Sequence, residues 1–272
     1  MKTIIIPTDF STVAENAMSF VNAIASRKQT RVVLVHTYHL PVIAAPEAGY
    51  AQAASLDYME EELEIKLKET CTKLRHNYPN VTYEAKVLNG FLVDVLPNLA
   101  KEMNADLIIM GTDGAYGLKQ VLLGTNSVEV LTEATCPVLI IPAEAHFRGI
   151  EQIVFATDLW EEPSPDILMV VEIARMFKAE ISFVYIPVNG TKELSDEDWK
   201  NFYQQLNYDK ISFHIQQGRN IEEGIRSFTE KMAADIVVMI NYRRTFWDQL
   251  FTTSQTKQMA YHTKVPLLVL HA

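Results

Sequence analysis

The sequence predicts an α/β fold, built as two tandem copies of a domain with a five-stranded, parallel, Rossmann-like sheet. Three observations carry this expectation. Short apolar runs without polar alternation, such as Thr3-Ile-Ile-Ile-Pro7 and Asp106-Leu-Ile-Ile-Met110, read as strands buried on both faces. Amphipathic helical patterns lie between those runs. The chain also says nearly the same thing twice.

Residues Thr3–Asp9 return as Gln152–Asp158, and Val32–His36 as Ile181–Tyr185. Ala105–Met110 returns as Ala234–Met239, and Cys136–Ile141 as Val265–Leu270. The first two pairs are offset by 149 positions and the last two by 129, so the second copy is shorter between its second and fourth strands. The shortfall corresponds to the loop and helix around residues 40–77. Two repeats of this length mean two similar domains rather than a solenoid. The boundary is expected near Glu144–Gly149, giving domains 1–145 and 150–272.

In chain order, strands are expected near 2–8, 31–37, 81–88, 106–110 and 137–142 of the first copy. A helix near 12–27 places Val13, Ala17, Phe20 and Ile24 on one face, with Thr12 and Glu15 as its capping box. A helix near 56–77 is acidic at its start and more basic at its end, as the helix dipole favours. In the second copy, Ile167, Val170, Ala174 and Phe177 repeat the first stripe. Ligands of such sheets sit at the carboxyl ends of strands, near a topological switch point. Asp9, His36, Thr37 and Gly111 all fall at such ends.

Composition narrows the partners. Asp and Glu number 34 against 24 Lys and Arg, a net charge of −10, which repels nucleic acid and anionic lipid. No apolar run reaches membrane-spanning length. The first residues carry one basic side chain and a very short apolar run, which reads as a strand and not as a signal peptide. Cys71 and Cys136 have neither pair nor metal spacing and read as reduced thiols of a cytoplasmic protein. The seven histidines are scattered without ligand spacing, and His36 at a strand end reads as structural.

The stretch that carries chemistry is Gly111-Thr-Asp-Gly114, nine residues, then Gly124-Thr125. It follows a strand and leads into Asn126-Ser127-Val128-Glu129, a capped helix start. Glycines let the backbone approach a ligand, and unpaired N–H groups at a helix start receive phosphate oxygens. Thr125, Asn126 and Ser127 serve as caps, as phosphate contacts, or as both. A phosphorylated ligand, and first of all a nucleotide, fits this arrangement. No G-x-x-x-x-G-K-[ST], G-x-G-x-x-G or G-x-S-x-G motif occurs, and no hydrolase triad can be assembled.

Together with Pro7-Thr8-Asp9-Phe10-Ser11, the strand-ending His36, Asn89-Gly90 and Cys136-Pro137-Val138, this loop resembles the universal stress protein family, and the likeness extends over both copies. The resemblance implies a five-stranded sheet, ATP or AMP binding in some members, pairing of domains through their last strands, and a stress-related role with no single agreed reaction. Carried over residue by residue, it places Asp9 on the adenine base, with Pro7 and Thr8 in the same wall. Thr37 and Met110 lie near base and ribose. Gly111, Gly114 and Gly124 complete the expected nucleotide-binding set by their spacing, with Thr125, Asn126 and Ser127 at the helix start as caps, phosphate contacts or both. One departure is Asp113, where the family often has His; a carboxylate there repels a triphosphate unless Mg²⁺ lies between them or the side chain points away.

The second copy departs further. Ile240, Arg243, Phe246 and Thr253 replace Gly111, Gly114, Gly117 and Gly124, while Asp158 and hydroxyls at Ser254 and Thr256 remain. Its site is expected to be closed to nucleotide. The functional expectation is a stress-response regulator holding an adenine nucleotide, ATP or AMP with or without Mg²⁺, in its first domain. The alternatives are a slow ATPase and a nucleotide-free interaction module. Expected partners are the nucleotide and the chain's own two domains paired internally, with a homodimer of the tandem chain left open, and neither nucleic acid nor membrane.

Overall fold

The computed structural model describes residues 1–39, 49–112, 125–157, 164–187, 196–241 and 265–271. Among them the first copy runs β1 (Thr3–Pro7), α1 (Thr12–Ala25), β2 (Thr30–Tyr38), α2 (Gly49–Asn77), β3 (Val81–Asn89), α3 (Leu92–Glu102), β4 (Leu107–Thr112), α4 (Thr125–Glu133) and β5 (Val138–Pro142). The second runs β6 (Gln152–Ala156), α5 (Pro165–Phe177), β7 (Glu180–Tyr185), α6 (Asp196–Leu206), β8 (Ile211–Ile215), α7 (Ile221–Met232), β9 (Ile236–Asn241) and β10 (Leu267–His271). The α/β alternation is the one expected.

The chain divides into two units, Met1–Gly111 with Thr125–Cys136, and Thr112 with the described residues from Pro137 onward. In the first, the strand order is β3-β2-β1-β4 and every pairing is parallel. In the second it is β5-β10-β9-β6-β7-β8. Its pairings are parallel except between β10 and β5, which run antiparallel with Leu268 opposite Leu139. By the repeat, β5 is the last strand of the first copy.

The central strands are apolar because both their faces are covered. Ile4, Ile5 and Ile6 are all fully buried, which an alternating strand does not allow. The stripe on α1 faces inward at Ala17, Phe20 and Ile24. Its cap is Ser11, not Thr12: Ser11 Oγ accepts the Ala14 N–H at 3.2 Å, and Thr12 is the first helical residue. The proposed box with Glu15 is therefore one residue out of register. On α5 the same role falls to Ser164, followed by Pro165 in the first turn, where its missing N–H costs nothing.

The helix of 29 residues between β2 and β3 has an 11-residue counterpart, α6, between β7 and β8. The second copy is thus shortened there rather than stripped of the helix. Over α6 the sheet is packed with aromatics: the Phe183 ring lies 4.8 Å from Phe155, 5.3 Å from Trp199 and 5.5 Å from Phe202. In the first unit a buried polar pair joins α1 to β3, with the Tyr83 hydroxyl donating to Asn22 Oδ1 at 2.6 Å. Burial drives the Tyr83 phenol well above its ordinary range, so it stays a donor.

The amino edges of the two sheets share one device. Asp106 Oδ2 accepts the N–H groups of Lys2 and Thr3 at 2.6 and 2.7 Å. Asp235 Oδ2 accepts those of Glu151 and Gln152 at 2.7 and 2.9 Å. Each carboxylate pins the start of the first strand of its copy. No helix among the described residues is long and apolar enough to cross a membrane.

Candidate functional site

In the first unit β1 has β2 on one side and β4 on the other, and both connections leave from carboxyl ends. That is the switch point at which such sheets open a crevice. Pro7 ends β1 half-buried. The Thr8 N–H still donates to the Val35 carbonyl at 2.8 Å, and the chain then turns. Thr8 Oγ1 accepts the Phe10 N–H at 3.1 Å, and Asp9 Oδ1 accepts the Ser11 N–H at 2.9 Å. Phe10 takes φ 62°, a left-handed conformation that disfavours a bulky side chain by about 1–2 kcal/mol.

Asp9 is solvent-exposed but held. Partial burial raises its pKa. The hydrogen bonds from Ser11 and from its own backbone, with the nearby His36, outweigh that and leave it below the usual carboxylate value. It is therefore a fixed, ionised acceptor near neutral pH.

At the end of β2, His36, Thr37 and Tyr38 are half-buried. His36 Nδ1 lies 2.7 Å from the Thr8 carbonyl oxygen, and its ring stacks on Phe10 at 5.0 Å and 29°. The Lys66 ammonium of α2 sits 4.0 Å from the Phe10 ring centroid. The Tyr38 hydroxyl donates to Glu60 Oε2 at 2.8 Å, which ties α2 to the same rim.

Met110, on β4, is buried at 3% exposure. Gly111 has a packing reason to be glycine: a Cβ there would lie 2.7 Å from Val13 Cγ1 and 2.8 Å from the Val13 carbonyl oxygen. Its bare backbone lets the end of β4 meet the first turn of α1. The helix expected after the loop begins at Thr125, with Asn126 exposed and Ser127 buried at 3%. Gly114, Gly124, Asp113 and Gly117 lie outside the described residues. So do Asp158, Arg243, Phe246, Thr253, Ser254 and Thr256 of the second copy. Ile240, the counterpart of Gly111, is a buried residue of β9 paired with Leu270.

Of the expected set, Pro7, Thr8, Asp9, Thr37, Met110 and Gly111 thus gather at the carboxyl ends of β1, β2 and β4. Sequence reasoning quoted Phe10 and Ser11 in a motif without giving them a role, did not single out Lys66, and took His36 as structural without a partner. The strand runs on to Tyr38, so His36 is not its last residue, contrary to expectation; a histidine near the end of an apolar strand was the visible signal. Among the described residues no group of three or more His, Cys, Asp or Glu side chains is placed to hold a metal ion. Cys71 and Cys136 are buried thiols not joined in a disulfide.

The family model of the universal stress proteins matches residues 1–142. Universal stress protein MJ0531 of Methanocaldococcus jannaschii is 31% identical over 141 residues, covering 52% of this chain and 81% of its own length. Universal stress protein MJ0577 of the same organism is 29% identical over 152 residues, covering 52% and 94%. A crystal structure of a universal stress protein from Archaeoglobus fulgidus superposes with a TM-score of 0.76 at 18% identity, covering 99% of this chain and 98% of that one. The last likeness carries the fold over both copies. With the family match spanning more than half of its residues, the chain belongs to the universal stress protein family.

Proposed function

We propose that the first copy, residues 1–145, binds one adenine nucleotide, ATP or AMP, and that the second, residues 150–272, is a degenerate partner without a nucleotide site. In this reading the protein is a stress-response regulator of the cytoplasm, a compartment that suits its two buried thiols. The observation that carries it is Asp9, an exposed carboxylate anchored by Ser11 at the switch point of the sheet. A fixed acceptor there suits the exocyclic amine of adenine, which is a donor. The start of α4 supplies N–H groups suited to phosphate oxygens. In the second copy Ile240 brings a buried side chain to the position of Gly111, which favours one site per chain.

Calorimetric titration of the full chain with ATP and with AMP tests this. One nucleotide per chain is expected, with Asp9→Ala weakening both ligands alike and Gly124→Val abolishing binding. The loss for Asp9→Ala corresponds to about 1–3 kcal/mol, the cost of orphaning a polar partner. A stoichiometry of two, or full affinity in Asp9→Ala, would count against the reading. Because Asp113 stands beside the phosphate-binding glycines in sequence, ATP affinity should depend on Mg²⁺ more steeply than AMP affinity.

A further inference from the structure

We infer that His36 is a positioning residue of the nucleotide site, holding the turn that presents Asp9. The inference rests on the nucleotide reading of the first copy. After its last ladder bond, from the Thr8 N–H to Val35, the chain leaves the sheet. At that point the Thr8 carbonyl lies 2.7 Å from His36 Nδ1. A carbonyl only accepts, so Nδ1 carries the hydrogen and the bond selects the ring's protonation at that atom.

Two residues on, Phe10 sits at φ 62°. A bulky residue stays in such a conformation only where its surroundings over-determine it. His36 contributes to that twice, through the bond to Thr8 on one side of Asp9 and through the ring stacked on Phe10 on the other. Lys66 packs on the same phenyl ring from α2. Asp9 is thus bracketed between two residues that a single side chain holds, while its own carboxylate is tied to Ser11. Catalysis and ligand contact are not needed for this role; its effect on affinity passes through Asp9.

The second copy supplies the contrast. The ladder bond survives there as Thr157 N–H to the Val184 carbonyl, yet the residue in the place of His36 is Tyr185. A phenol has no ring N–H close to its Cβ, so Tyr185 cannot make the donation that His36 makes.

The test uses three variants of the full chain. His36→Asn keeps an N–H at the Nδ1 distance from Cβ, His36→Gln moves it outward, and His36→Leu removes it; all three lose the stack. Titration with ATP and AMP should leave His36→Asn within about threefold of wild type, and weaken His36→Gln and His36→Leu about five- to tenfold further, the worth of one hydrogen bond. Equal affinities across the three variants would overturn the hydrogen-bond role. Nitrogen-15 spectra of the ligand-free chain give a readout that does not depend on nucleotide. They should show Nδ1 of His36 protonated, with the Phe10 and Ser11 amide signals displaced in His36→Leu and little changed in His36→Asn. A ring protonated only at Nε2, or amide signals indifferent to His36→Leu, would overturn the inference. Wild-type protein that binds no nucleotide would sink the site reading, and the spectra would still decide whether His36 holds the turn.

Discussion

The amino edges of the two copies are built alike, and their carboxyl edges are not. At the amino edge, Arg31 N–H donates to Lys2 and Asp106 N–H to Thr3; in the second copy Glu180 N–H donates to Glu151 and Asp235 N–H to Gln152. Asp106 and Asp235 clamp the first strands through the same pair of backbone amides. At the carboxyl edge, Tyr185 stands at the repeat position of His36, Ile240 at that of Gly111, and the short α6 at that of the long α2. The fold needs its strands started and registered, and the repeat retains those parts. A ligand would need the other end of the strands, and there the copies part company.

The largest effect that sharpens this contrast is expected at the Gly111 and Ile240 pair. Ile240→Ala removes a buried side chain from β9 and should destabilise the second copy by about 2–5 kcal/mol. Gly111→Ala adds one carbon against the backbone of Val13 and should cost about 1–3 kcal/mol. It should also push the first turn of α1, and with it Ser11, away from β4. Denaturant unfolding of each variant checks both. A neutral Gly111→Ala would mean the end of β4 is not pressed against α1.

Next come the clamps. Asp106→Ala and Asp235→Ala each orphan two backbone amides at a partly exposed edge, and each should cost about 1–2 kcal/mol. The contrast between copies predicts equal losses. A difference much beyond about 0.5 kcal/mol, the usual error of adding independent sites, would break the claim that the two amino edges are equivalent.

A smaller gain is expected where the copies use different residues in one conformation. Asn104 and Ala233 both adopt the left-handed region, at φ 48° and 50°, just before their strands. Asn tolerates it and Ala does not, so Ala233→Gly should stabilise by about 0.5–1 kcal/mol while Asn104→Gly changes little. Thermal midpoints of the two variants decide it.

The mildest test is acidification, in two separate windows. Burial, and after it the charge of Lys231, lowers the pKa of His214 against the opposing Glu180. The unfolded chain then takes up its proton first, so stability falls as pH drops through about 6.5. Asp9 is depressed too, but an acid depressed in the fold contributes stability above about pH 4 that is lost as pH falls through its folded value. His214→Gln should flatten the first limb and Asp9→Asn the second. A stability profile unchanged in both windows would show that neither group is coupled to folding.

Much of the fold was legible because it rests on local patterns. Strands buried on both faces appear as apolar runs, and α1 appears as a stripe with a hydroxyl before it. The cap was misplaced by one position because Ser11 and Thr12 are both competent caps and only backbone geometry separates them. Asp106 read as part of a strand; its two amide partners lie more than a hundred residues away, and no local rule reaches them. The site was legible as strand ends and glycines. What eluded the sequence was contact: Val13 behind Gly111, and the ring of His36 against Thr8 and Phe10.

The antiparallel ladder between β5 and β10 has a consequence for synthesis. Leu139 emerges from the ribosome roughly 130 residues before Leu268, its partner across the ladder. At about 5–20 residues per second that is roughly ten seconds. For that time an apolar strand, Val138–Pro142, waits without its neighbour, and an unpaired edge of this kind recruits strands from other chains. The nascent protein is therefore most prone to aggregate after its first copy is made and before its last strand arrives. A pause in translation within the second copy lengthens that exposure.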